Sequence, residues 1–231
     1  MHPRSKHPRR STSRPRPRLP DLRPCGARAL GVVVAVVAGA LVAAVGAAST
    51  PEAAVAKPRV TVIGDSIAAS FDYVPAARRY LGKGLDLRSD AVVCRRLVAA
   101  SCVFQGSKPP TALDVVSAEG HALGSVVVVN VGYNDWTAVY DVDRVMRALT
   151  SAGVRSVIWV TLRETTTNYA TNNRRIRSAS HRWKQLVVAD WNAYSRGKPW
   201  FREDGLHLTA SGAFGLAKLL RPLVLAGASS G

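Results

Sequence analysis

The sequence predicts an α/β domain built on a parallel sheet with both faces covered. Two observations carry this. Short β-branched runs alternate with helix-compatible stretches from Arg59 onward, and alternation of that regularity belongs to sheets wrapped by crossover helices. The run Ser125-Val-Val-Val-Val-Asn-Val131 is apolar without alternation, the pattern of a strand buried on both sides. No stretch repeats another, which excludes solenoids and propellers.

Taken in order, Arg59–Ile63 reads as the first strand, stopped by Gly64. Ser66 to about Leu81 reads as a helix that Pro75 breaks or kinks. Leu85–Val93 alternates at its start like a second strand. Ala112 to about Leu123 is helical, and Ser125–Val131 is the central strand. Val142–Ala152 is an amphipathic helix closed by Gly153, a residue suited to the left-handed turn that ends helices. Val154–Thr161 is a strand, Ala170 to about Trp183 a basic helix, Leu186–Ala189 a short strand and Thr209–Leu225 a closing helix. The domain so defined is 59–226, with 227–231 as a tail.

What precedes it differs in kind. Residues 1–28 are rich in arginine and proline with almost no apolar content, too little to bury, and read as disordered. Residues 29–48 carry no charge and as a helix would span a bilayer. Basic residues ahead of such a run keep the N-terminus cytoplasmic, which places the domain outside, secreted or tethered. The length of the run favours a retained membrane anchor, whereas Ala54-Val55-Ala56 offers a cleavage site for a signal peptide. Residues 49–58 read as a linker.

The formal charge is +17, and from Lys57 onward 23 basic residues still face 13 acidic ones. Such a surplus suits anionic wall polymers or lipid headgroups. No nucleic-acid-binding motif accompanies it, so nucleic acid is not an expected partner. Cys94 and Cys102 lie close together in a domain expected outside the cytoplasm, where a disulfide persists. They lack neighbours at metal-ligand spacing, and no metal or cofactor is expected.

Three stretches carry chemistry. In Gly64-Asp65-Ser66 a strand stops at a glycine and turns into a helix, which presents the Ser66 hydroxyl at the sheet's carboxyl edge above a helix's positive end. In Asp204-Gly-Leu-His207 a turn can bring the carboxylate to Nδ1 of His207, fixing its tautomer and stabilising the imidazolium. In Val129-Asn-Val-Gly-Tyr-Asn-Asp-Trp136 a loop follows a buried strand, and Asn134 can offer a side-chain N–H to an oxyanion. Asp135 is suited to holding that loop, and Asp190 is a less well-placed acid than Asp204.

In the chain order Ser66, Asn134, Asp204/His207 the motifs resemble those of the SGNH (GDSL) hydrolase family. Block one resembles Gly64-Asp65-Ser66, block three Gly132-Tyr-Asn134-Asp135 and block five Asp204-Gly-Leu-His207. The resemblance implies a flavodoxin-like three-layer α/β/α sandwich and an acyl-ester hydrolase or acyltransferase; the expected substrate is a short-chain or acetyl O-acyl ester, with acylated polysaccharide and lipid as candidate carriers. It implies Ser66 as nucleophile, His207 as base and Asp204 as its orienter. The implied oxyanion hole is the Ser66 N–H, the Asn134 side chain and a block-two N–H. Block two resembles Ser89-Asp-Ala-Val-Val-Cys-Arg-Arg96, with Cys94 where the family usually has glycine. A β-carbon there, tied to Cys102, would narrow the acyl pocket. The same stretch is similar to that of peptidoglycan O-acetyltransferase domains, which keeps acyl transfer to cell-wall glycan as an alternative. A non-catalytic wall- or membrane-binding module is the other. Arg174, Arg175, Arg177 and Arg182 read as a solvated helix face, and Trp136 and Trp200 flank the motifs.

Overall fold

The computed structural model describes residues 56–230. The predicted leader, the apolar segment and the linker up to residue 55 lie outside the described residues. Among the described residues no helix is long and apolar enough to cross a membrane.

Five strands form one sheet: β1 Arg59–Gly64, β2 Asp86–Ala91, β3 Val126–Asn130, β4 Ser156–Val160 and β5 Leu186–Ala189. They run parallel in the order β2-β1-β3-β4-β5. The chain winds one way from β1 to β2 and then crosses back over β1 to β3. The loops after β1 and β3 consequently diverge at the carboxyl edge, the place where open α/β sheets form a crevice.

Among the described residues seven helices cover the sheet: α1 Ser70–Tyr73, α2 Pro75–Gly82, α3 Ala112–Glu119, α4 Val142–Ser151, α5 Thr167–Ser180, α6 Trp191–Tyr194 and α7 Ala210–Ser229. Successive side chains of a strand point to opposite faces. Val126, Val128, Ile158 and Val160 thus join Leu81 of α2 and Leu216, Leu220 and Val224 of α7 in one core. Val127, Val129, Val157 and Trp159 join Val115, Met146, Leu149 and Ile176 of α3, α4 and α5 in the other. Each such side chain stabilises the fold by about 1.5–3 kcal/mol. The unbroken valine run of β3 has its explanation here, because both of its faces are core.

Several boundaries differ from the sequence reading. The helix expected from Ser66 is not continuous. Residues 67–72 make successive i→i+3 bonds (Ser70 N–H to Ile67 O, Phe71 N–H to Ala68 O) that run into the short α1, and Pro75 starts α2 as its first residue. Proline lacks the N–H that a continuous helix would need there and suits a first turn. Ser66 therefore sits on a tight turn, and no long helix dipole lies beneath it. α3 ends at Glu119 because Gly120 adopts φ 50°, and a 3-10 turn completes the connection to β3. α5 begins three residues early because Thr166 accepts the Tyr169 N–H as its cap. α7 continues to Ser229, through residues expected in the tail.

Candidate active site

Block one begins with a close approach. A β-carbon at Gly64 would collide with that of Ala68 and press on Ala91, so only glycine lets β1 turn back this tightly. Asp65 follows, wholly buried. Its Oδ1 accepts the Ile67 N–H at 3.0 Å, and its Oδ2 accepts the Gly132 and Tyr133 N–H groups at 3.1 and 3.2 Å. One carboxylate thereby shapes the turn carrying Ser66 and fastens it to the loop carrying Asn134. Burial pushes its pKa up to about 6, against the pull of the three N–H donors and of His207.

Asp135 does the same for block two. Both its oxygens accept the Leu97 N–H, at 3.0 and 3.1 Å, and burial raises its pKa to about 7. Its backbone carbonyl accepts from Asn168 at the start of α5. The expectation that Asp135 serves the loop describes this contact. Asp190 caps α6 through the Ala193 N–H and pairs with Arg177, taking no part in the site.

Block two leaves β2 with Val92 N–H on Gly64 O at 3.1 Å. Arg95 is 1% exposed, and its guanidinium spans Asp90 and Pro110 O, clamping the segment from below. The Arg95 carbonyl accepts one N–H of Asn134 Nδ2 at 3.2 Å, leaving the second N–H of that amide for a ligand. Arg96 holds the Asn134 carbonyl through Nε at 2.7 Å and stacks its guanidinium 4.1 Å from the centre of the Trp136 ring. Cys94 and Cys102 are joined in a disulfide, and Cys94 has φ 70°. Among the described residues the N–H groups of Ser66 and Cys94 have no hydrogen-bond partner.

Block five lies on a turn between α6 and α7. An isolated bridge pairs Phe201 with Leu208, the Arg202 N–H bonds His207 O at 2.7 Å, and Gly205 turns the chain at φ 66°. Thr209 caps α7 by accepting the Gly212 N–H. Asp204 Oδ1 accepts the Leu206 and His207 N–H groups at 2.8 and 2.9 Å, and its Oδ2 lies 2.6 Å from His207 Nδ1. The backbone N–H of Leu206, then the His207 ring and N–H, hold this carboxyl down at about 2. His207 Nε2 lies 3.0 Å from Ser66 Oγ across 141 residues of sequence. With Asp204 on Nδ1–H, Nε2 is the ring's acceptor for the serine proton.

Ser66, Asn134, Cys94, Asp204 and His207 thus come together at the carboxyl edge. What sequence reasoning missed is Asp65, which it placed beside the serine without a role. Its signal was only the residue type, and two of its three partners lie 67 and 68 residues away. The arginines of α5 and of the turn after it are not merely solvated: Arg175 bonds Tyr140 O, Arg177 pairs with Asp190, and Arg182, two residues past the helix, pairs with Asp143. A concavity of about 530 Å³ between α4 and α5 mixes Arg174, Arg175 and Arg182 with Asp141 and Asp143, and contains none of the site residues.

No family model and no curated protein matches the chain by sequence. Solved structures do match by fold. The crystal structure of TesA aligns at 16% identity over 73% of this chain and 99% of that one, with a TM-score of 0.53. A carbohydrate acetylesterase family member from Sinorhizobium meliloti aligns at 16% identity over 74% of this chain and 99% of that one, with a TM-score of 0.56. The chain shares the α/β fold of these proteins, in keeping with the α/β/α sandwich that the resemblance of its motifs implies.

Proposed function

We propose that the protein is a serine ester hydrolase working through an acyl-enzyme. The observation that carries this is the continuous relay from Asp204 Oδ2 through His207 to Ser66 Oγ, at 2.6 and 3.0 Å. Ser66 Oγ attacks the ester carbonyl carbon as His207 Nε2 takes its proton. The Ser66 N–H, the Cys94 N–H and the uncommitted Asn134 N–H receive the negative oxygen. Collapse expels the alcohol with the proton from His207, and water then releases the acid by the same steps in reverse. Asp204 remains ionised throughout, so each imidazolium forms beside a fixed charge.

The proposed substrate is a short O-acyl ester, in keeping with the acetylesterase among the structures that share the fold. A location outside the cytoplasm accords with the disulfide. Trp136 is 63% exposed two residues beyond Asn134, an aromatic surface beside the site on which a sugar ring can stack. That supports acyl transfer to a glycan hydroxyl as a second reading, with the sugar in the place of water.

Purified protein and its Ser66→Ala variant, assayed on acetyl, butyryl and longer nitrophenyl esters, test the proposal. Hydrolysis by the wild type alone, with fluorophosphonate labelling of Ser66, is the expected result. Equal rates in both proteins end the esterase reading, and salt-sensitive polymer binding without labelling selects a binding module. Acetyl transfer to an oligosaccharide faster than hydrolysis selects the transferase.

A further inference from the structure

Cys94 is one of two described non-glycine residues with a positive φ, and it stands in block two between Val92, whose N–H bonds Gly64 O, and Arg95, whose carbonyl accepts from Asn134. At φ 70° an L-residue crowds its β-carbon against the following carbonyl, which is why glycine is the ordinary occupant of that conformation. The flanking residues are tied on both sides. Val92 N–H bonds Gly64 O, Arg95 is clamped to Asp90 and Pro110, and Arg96 N–H bonds Ser101 Oγ. Residues 93 and 94 have no N–H bond among the described residues. The Arg95 N–H bonds Val92 O at 3.2 Å and closes a turn over residues 93 and 94, and the Cys94 side chain adds a second restraint, bonded to Cys102, whose own N–H returns to Cys94 O at 3.4 Å.

We propose that the Cys94–Cys102 disulfide is a positioning device for the oxyanion hole: it keeps residue 94 in the left-handed conformation that leaves its N–H available to the substrate oxygen. The inference rests on the ester-hydrolase reading for its catalytic consequence. Its conformational content stands independently. The β-carbon that the conformation disfavours is also the atom through which the bond acts, so the cross-link supplies by constraint what glycine supplies by freedom. Reduction relaxes residue 94 toward negative φ, removes one donor from the hole and leaves Ser66, His207 and Asp204 in place.

The test compares Cys102→Ser with the double variant Cys94→Gly/Cys102→Ser in the full chain. Breaking the bond while keeping a β-carbon at 94 is expected to lower kcat on the order of tenfold to a hundredfold, with KM unchanged, as for loss of one oxyanion donor. Glycine at 94 is expected to restore most of that loss although the bond is still absent. A bond that only stabilises the loop predicts no such rescue. Wild-type kcat in Cys102→Ser, or no recovery in a double variant that melts at the same temperature, overturns the proposal. Phosphine reduction of the wild type is expected to reproduce Cys102→Ser and to leave the double variant unaffected. Should the wild type hydrolyse no ester, the esterase reading fails, and φ of residue 94, from the amide–Hα coupling or a crystal structure of Cys102→Ser, decides the rest. A left-handed residue 94 without the bond sinks the proposal.

Discussion

Asp65 and Asp204 are chemically the same group doing opposite jobs in one site. Asp65 accepts three backbone N–H groups, and Asp204 accepts two as well as the His207 ring. Yet Asp65 is raised to about 6 and Asp204 lowered to about 2. The difference is water. Asp65 is wholly buried where β1 meets β3, and desolvation outweighs its donors, whereas Asp204 sits on an exposed turn where the donors act almost unopposed. The buried half of the site fixes positions, and in the proposed hydrolase the exposed half keeps a charge beside the group that moves the proton.

The largest effect that would sharpen this contrast lies on the exposed side. Ser66→Ala or His207→Ala is expected to lower kcat by about 10⁴- to 10⁶-fold, and Asp204→Ala by one to two orders less, because the serine–histidine pair survives without its orienter. Rates on one nitrophenyl ester check the order; an Asp204 variant worse than the His207 variant would remove the acid from its supporting place.

Asp65→Ala tests the buried side. It strands three N–H groups and unfastens block three from block one, at a cost on the order of 3 kcal/mol or more in urea unfolding, with activity lost as well. Asp204→Ala, by contrast, is expected to leave unfolding nearly unchanged, since the carboxylate is half exposed. If both variants unfolded alike, the division of labour between the halves would be wrong.

The last effect is one of pH. Asp135 is raised from 3.8 to about 7 in the folded state, so between those values the native protein holds a proton that the unfolded chain has released. Stability from this group is therefore greatest below about pH 4 and falls as pH rises through 7, at no more than about 1.4 kcal/mol per pH unit. Asp135→Asn still accepts the Leu97 N–H but cannot ionise. The stability gap between wild type and Asp135→Asn should move against the wild type from pH 4.5 to 7.5; a constant gap would mean the carboxyl is not desolvated.

Much of this was readable along the chain, for local reasons. The valines of β3 announce a strand with two buried faces, because their spacing decides which side chains face which way. Asp204 and His207 are three residues apart, and a glycine turn is enough to join them. Gly64-Asp65-Ser66 and Asn134 follow strands, so their place at the carboxyl edge comes with the topology. The tertiary structure decided whatever depends on distant partners. Ser66 and His207 are 141 residues apart and meet only because β1 is an interior strand and α7 packs against the same sheet. Asp65 was read as a neighbour of the serine, yet its role lies in Gly132 and Tyr133, and its pKa in burial that no local pattern encodes. Cys94 stood out by residue type where glycine is usual; that it takes glycine's conformation while bonded to Cys102 is a property of the folded backbone. Sequence patterns determine which groups are near one another along the chain and which face they take, while desolvation and backbone strain are set by everything packed around them.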